Sequence, residues 1–138
     1  MPTIHTLAND LRIACQQVSR RVRFDAGGDL APHQVSVLAK LKAGPRTPGE
    51  LADAEQIAPP SMTKTVNCLA DRGLVTRIDH PTDGRSKLVV LTDEGRAQLA
   101  RTARARDDWM EQKLRGLSPA ELDVLREATG LLARVLER

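Results

Sequence analysis

Aromatic side chains are nearly missing from this 138-residue sequence, which has one phenylalanine, one tryptophan and no tyrosine. Proteins that hold single-stranded nucleic acid stack its bases on aromatic platforms, and two aromatics cannot build such a surface. Any nucleic acid bound here is therefore expected to be duplex, met through its grooves and phosphates. Cysteine is also scarce: Cys15 and Cys68 are too few for a disulfide framework and suit a reducing compartment, so a cytoplasmic location is expected. No apolar run approaches the ~20 residues that cross a bilayer, and Met1-Pro2-Thr3-Ile4-His5 has no basic stretch leading into an apolar segment, so no secretory leader is expected. The histidines His5, His33 and His80 are scattered without metal-ligand spacing, so no metal is expected. There is no phosphate-cradling glycine loop, no His-x-x-x-His pair and no nucleophile elbow, and neither a cofactor nor an enzymatic activity is expected.

What is present is an ordinary globular composition, 41% hydrophobic and 28% charged, long enough for one domain over residues 1–138. The net charge of +3 leans mildly toward a polyanionic partner. Ile4, Leu7, Leu11, Ala14, Val18 and Val22 recur at steps of three and four, the mark of one face of a long helix. Asp25-Ala26-Gly27-Gly28-Asp29 breaks it. Pro32 opens a second helix carrying Val35, Leu38 and Leu41, which Gly44-Pro45 closes. Thr47-Pro48-Gly49-Glu50 has the form of a capping box, starting a short helix that Gln56-Ile57-Ala58-Pro59-Pro60 interrupts. The two prolines can open the next helix, where amides lack partners anyway. That helix places Met62, Val66 and Leu69 on one side and ends at Gly73.

Two strands are expected next, Leu74 to His80 and Lys87 to Leu91, around an Asp83-Gly84 hairpin turn. Thr92, followed by Asp93 and Glu94, caps a long helix to about Arg115. Leu117-Ser118-Pro119-Ala120-Glu121-Leu122 is a second capping box, opening a last helix with Leu122, Leu125, Thr129, Leu132 and Leu136. The expected class is mainly α with a small β-hairpin: a winged helix-turn-helix over 29–91, flanked by helices over 1–28 and 92–138. The flanking helices carry more apolar surface than so small a body can cover, and the simplest cover is a second copy of the chain.

Several segments together resemble the MarR family of bacterial transcription regulators. They are Leu51-Ala52, Pro60-Ser61-Met62-Thr63-Lys64, Arg72-Gly73-Leu74-Val75-Thr76-Arg77, Asp83-Gly84-Arg85-Ser86 and Leu91-Thr92-Asp93-Glu94-Gly95. Each piece alone is weak; the combination, spread over nearly the whole chain, is specific. The resemblance implies a homodimeric, ligand-responsive repressor or activator on a palindromic duplex operator.

With Met62, Val66 and Leu69 turned to the core, Pro60, Ser61, Thr63, Lys64 and Thr65 form the expected base-facing set. Lysine can donate to guanine O6 and N7, and hydroxyls can serve several base edges. Arg85, at the hairpin tip, is suited to a narrow minor groove, which is how the family uses the arginine of this motif. Ser86 and Lys87 belong to the same wing; Thr47, Arg77 and Asp83 are candidates for phosphate contact or support. Arg77 can equally be a structural partner, and Asp83 is expected to restrain the wing or pair with a nearby arginine rather than touch DNA, since phosphates repel a carboxylate. Family members often bind small aromatic acids between the dimer helices and the winged helix; Arg23, His33 and Trp109 are the candidate lining here. One branch senses organic hydroperoxides through a cysteine of the first helix, but that position falls at Arg12 and the accompanying tyrosines are absent. Cys15 is therefore read as a packing residue. Two other functional readings stay open. A small helical enzyme holding an acidic substrate through arginines would leave the wing unexplained, and Lys64 and Arg85 argue against a winged helix used only for protein docking.

Overall fold

The computed structural model describes residues 1–137, and these form six helices and one hairpin. Helix α1 (Ile4–Asp25) begins where the Thr3 hydroxyl accepts from Thr6 N at 3.1 Å, and it ends before Gly27 and Gly28. Helix α2 (Pro32–Leu41) follows, then α3 (Pro48–Glu55) and α4 (Pro59–Asp71). The capping box at α3 forms as the sequence requires: Thr47 Oγ1 accepts from Glu50 N at 3.1 Å, while Glu50 Oε1 accepts from Thr47 N at 3.3 Å. Gln56 joins α3 to α4 in the left-handed conformation (φ 56°), the sharp bend that a helix-turn-helix needs.

Strands β1 (Val75–Asp79) and β2 (Lys87–Leu91) pair antiparallel, from Val75 opposite Leu91 to Asp79 opposite Lys87. An isolated antiparallel bridge pairs Arg46 with Val89 on the edge of β2 away from β1. The first strand is one residue shorter at each end than the sequence suggested. Leu74 is used instead as a joint: its N–H donates to Leu69 O, closing α4, and its carbonyl accepts from Thr92 N. Thr92 also donates its hydroxyl to Gly73 O at 2.6 Å and accepts from Gly95 N, so one residue ties the end of α4 to the start of α5 (Asp93–Leu114). Helix α6 (Pro119–Leu136) opens on its own capping box at Ser118 and Glu121.

The core lies between α2, α3, α4 and the hairpin: Val37, Leu38, Leu41, Leu51, Met62, Val66, Leu69, Leu74, Val75, Val89 and Leu91 are buried together. Glu55 at the end of α3 accepts from Ser36 Oγ at 2.6 Å and Lys40 Nζ at 2.9 Å, locking α3 to α2. Burial pushes the Glu55 carboxyl up, but these two bonds outweigh it and hold it below its ordinary value. At the other end of the chain the picture reverses, since neither α1 nor α6 contains a buried residue. Cys15, expected to pack, is exposed on α1, because no other described residues cover that face.

Candidate nucleic-acid interface

Helix α4 buries Met62, Thr65, Val66 and Leu69 and leaves Pro60, Ser61, Thr63, Lys64, Asn67, Cys68 and Asp71 exposed. The pole opposite the core is the row Pro60, Lys64, Asn67, Asp71, spaced four, three and four. Lys64 thus points straight outward, with Ser61 and Thr63 on its flanks. Thr63 Oγ1 donates to Pro59 O at 3.1 Å, so its hydroxyl is already occupied by its own helix. Thr65 departs from the expected base-facing set. It is only 8% exposed, and its hydroxyl donates to Ser61 O at 3.1 Å. It sits three residues after Met62 and four before Leu69, which sets it on the core side. Asn67 was missed by the sequence reading, although its spacing from Pro60 and Lys64 carries the signal.

The wing is ordered by its own polar atoms. His80 Nδ1 accepts from Thr82 N at 3.2 Å and Asp83 N at 3.1 Å. Asp83 accepts from Arg85 N at 3.0 Å and Ser86 Oγ at 3.2 Å, and its carbonyl accepts from Ser86 N. Its carboxylate is therefore spent inside the turn, as a restraint. Arg85 projects from the tip with its side chain 99% exposed, 4.0 Å from Asp83 at the Nε atom. A separation of that size in water holds the guanidinium only weakly. Lys87 is differently placed: it pairs across the strands with Asp79, and that bond lowers the Asp79 carboxyl below its ordinary value. Any phosphate contact by Lys87 has to compete with this partner. Arg77 on β1 is likewise engaged, donating to Asn67 Oδ1 on α4. The Thr47 hydroxyl is occupied as the α3 cap.

Below this surface, Arg72 at the end of α4 binds Asp29 in the α1–α2 loop at 2.6 Å, and Gln98 of α5 donates to the same carboxylate at 3.3 Å. The arginine bond lowers the Asp29 carboxyl below its ordinary value. The three residues proposed to line an effector site are not gathered as expected. The Trp109 ring is flanked by Arg21 at 5.8 Å and Lys113 at 5.4 Å, whereas Arg23 lines a cleft along α1 with Cys15, Gln16, Ser19, Arg20 and Phe24. His33 stands elsewhere, exposed at the start of α2 and near Glu55. Arg21 is two helical positions from Arg23, enough to turn it to another face.

Comparison with known proteins agrees with this architecture. The MarR family sequence profile matches residues 29–86, the span from the α1–α2 loop to the turn of the hairpin. An HTH-type transcriptional regulator of Mycobacterium tuberculosis is 38% identical over 133 residues, covering 95% of this chain and 93% of that protein. The chain belongs to the MarR family. Among solved structures, a putative transcriptional regulator from Pseudomonas aeruginosa superposes with a TM-score of 0.79 at 30% identity, covering 99% of both chains. A mutant MarR from E. coli superposes with a TM-score of 0.76 at 25% identity, covering 94% of this chain and 96% of the other. The mainly helical winged helix-turn-helix expected from the sequence is thus the fold of this MarR-family chain.

Proposed function

We propose that this MarR-family protein is a transcriptional regulator that binds duplex DNA as a homodimer on a palindromic operator, most simply as a ligand-responsive repressor in the cytoplasm. The observation that carries the reading is a pair of exposed cations, Lys64 and Arg85. Lys64 stands outward on the second helix of a helix-turn-helix, and Arg85 extends from a rigid wing. In such a module the second helix enters the major groove, with its N-terminal residues on base edges. Arg85 then reaches an adjacent narrow minor groove, where the negative potential favours arginine. Asp71, at the far end of the outward row, is repelled by phosphates, which places the reading half of α4 between Pro60 and Asn67.

The apolar faces left open on α1 and α6, including Leu7, Leu11, Val124 and Val135, support dimer formation through those helices. The cation-flanked Trp109 is the feature that suits a small aromatic acid as effector. Selection of DNA by the purified protein tests the reading: the expected result is a palindrome with half-sites centred about 10 bp apart. Arg85→Ala should weaken binding to every sequence and flatten its salt dependence by about one phosphate equivalent per half-site, leaving the core motif in place. A chain that selects no duplex sequence, or sediments as a monomer at micromolar concentration, overturns the proposal. Calorimetry with aromatic acids checks the effector: binding should be accompanied by loss of DNA affinity.

A further inference from the structure

Asn67 and Arg77 form a contact between the recognition helix and the wing that the charge-based reading of the surface leaves unused. Asn67 lies on the outward row of α4, one turn beyond Lys64, and both it and Arg77 are exposed. Arg77 stands on β1 and donates through Nη2 to Asn67 Oδ1. A guanidinium has donors only, so the atom facing it must be the carboxamide oxygen, and the orientation of the amide is thereby determined. The oxygen is drawn toward β1, and the NH2 group is the end turned away from the strand. An asparagine without such a partner can rotate its amide and offer either end.

We propose that Asn67 is a base-reading residue and that Arg77 is its positioning residue. Arg77 holds the carboxamide so that its NH2 donates to an acceptor on a base edge in the major groove. This rests on the proposal that α4 lies in that groove. The acceptors available there are purine N7, guanine O6 and thymine O4, whereas the exocyclic amine of cytosine is a donor and is disfavoured. Arg77 thus acts on sequence preference through Asn67 rather than as one more phosphate contact.

The test is selection of DNA by wild type, Asn67→Ala, Asn67→Asp and Arg77→Met, together with the salt dependence of binding on the wild-type operator. All the substituted side chains are exposed, so the fold is retained, which circular dichroism verifies. Asn67→Ala should lose preference at one position in each half-site, with affinity for the wild-type operator falling about tenfold or more. Asn67→Asp keeps an acceptor for Arg77 but replaces the donating end by a second oxygen, and should turn that same position toward cytosine, whose N4 donates. Arg77→Met should relax the same position while leaving the salt slope unchanged. Asn67→Ala selecting the wild-type motif overturns the base-reading role. Arg77→Met with an unchanged motif, or with a slope reduced by about one phosphate per half-site, overturns the positioning role. Failure of the wild type itself to select a motif overturns the underlying DNA reading instead, so the two failures are distinguishable.

Discussion

The middle of the chain and its two ends solve the hydrophobic problem differently. Between α2 and β2, the side chains of Leu38, Leu51, Met62, Leu69 and Val89 are sealed completely or nearly so by neighbours from the same chain. In α1 and α6 the apolar residues are as regularly spaced, yet Ile4, Leu7, Leu11, Val18, Leu125, Leu131 and Val135 all remain exposed. The same helical periodicity therefore has two meanings. Where hairpin and helices close over a stripe, it marks a core within the chain. Where only one or two helices extend from the body, it marks an apolar surface that the described residues leave open, the face the proposed dimer would use.

The sharpest way to break this contrast is to charge the open faces. Leu7→Glu combined with Val135→Glu should raise the proposed dimer's dissociation constant at least about a thousandfold, since each buried apolar side chain contributes about 2 kcal/mol and occurs twice in a symmetric pair. Sedimentation should show monomers, while hydrogen exchange in α2–α4 and the hairpin stays protected. Loss of protection in that body would mean that its core depends on the open faces after all.

Gly95 tests the joint between the two regions. A Cβ there would overlap the Leu74 carbonyl and come within 2.6 Å of Leu91 Cδ1. Gly95→Ala should destabilise the chain by about 2–3 kcal/mol in denaturant unfolding, because backbone cannot yield as a flexible side chain does. Within the body, Glu55→Gln should cost about 1 kcal/mol at neutral pH by removing the charged partner of Lys40. The Glu55 carboxyl is lowered by folding, so its contribution is present above the ordinary glutamate value and is lost as pH falls below that value through the lowered folded-state one. Unfolding measured from neutral to acid pH should accordingly be less pH-dependent in the variant. The smallest effect is a gain: Gln56→Gly relieves a left-handed conformation that a side chain resists, and should stabilise by about 0.5–1 kcal/mol in thermal unfolding.

Much of the candidate surface was legible from local signals. Thr47 and Ser118 announced their helices through the glutamate three positions on, Thr92 through the acidic pair Asp93 and Glu94 after it, and Asp83-Gly84-Arg85 announced a turn with a cation at its tip. Thr65 was misplaced although the spacing from Met62 and Leu69 already put it inward; the hydroxyl suggested a polar role that the helix's own carbonyl fulfils. Asn67 was passed over because an amide gives no charge signal.

The sequence by itself determined the order of elements, where the helices begin and stop to within a residue or two, and the family, because caps, breaks and helical periods act over three or four residues. Tertiary structure alone decided the partners. Arg77 meets Asn67 across 10 positions, Arg72 meets Asp29 across 43 and Gln98 meets Asp29 across 69. It also turned Trp109 toward Arg21 rather than Arg23 and made Gly95 a necessity by bringing Leu74 against it. Such contacts depend on how finished elements pack, and each long polar side chain in reach of several partners is assigned only when the packing brings one of them within bonding distance.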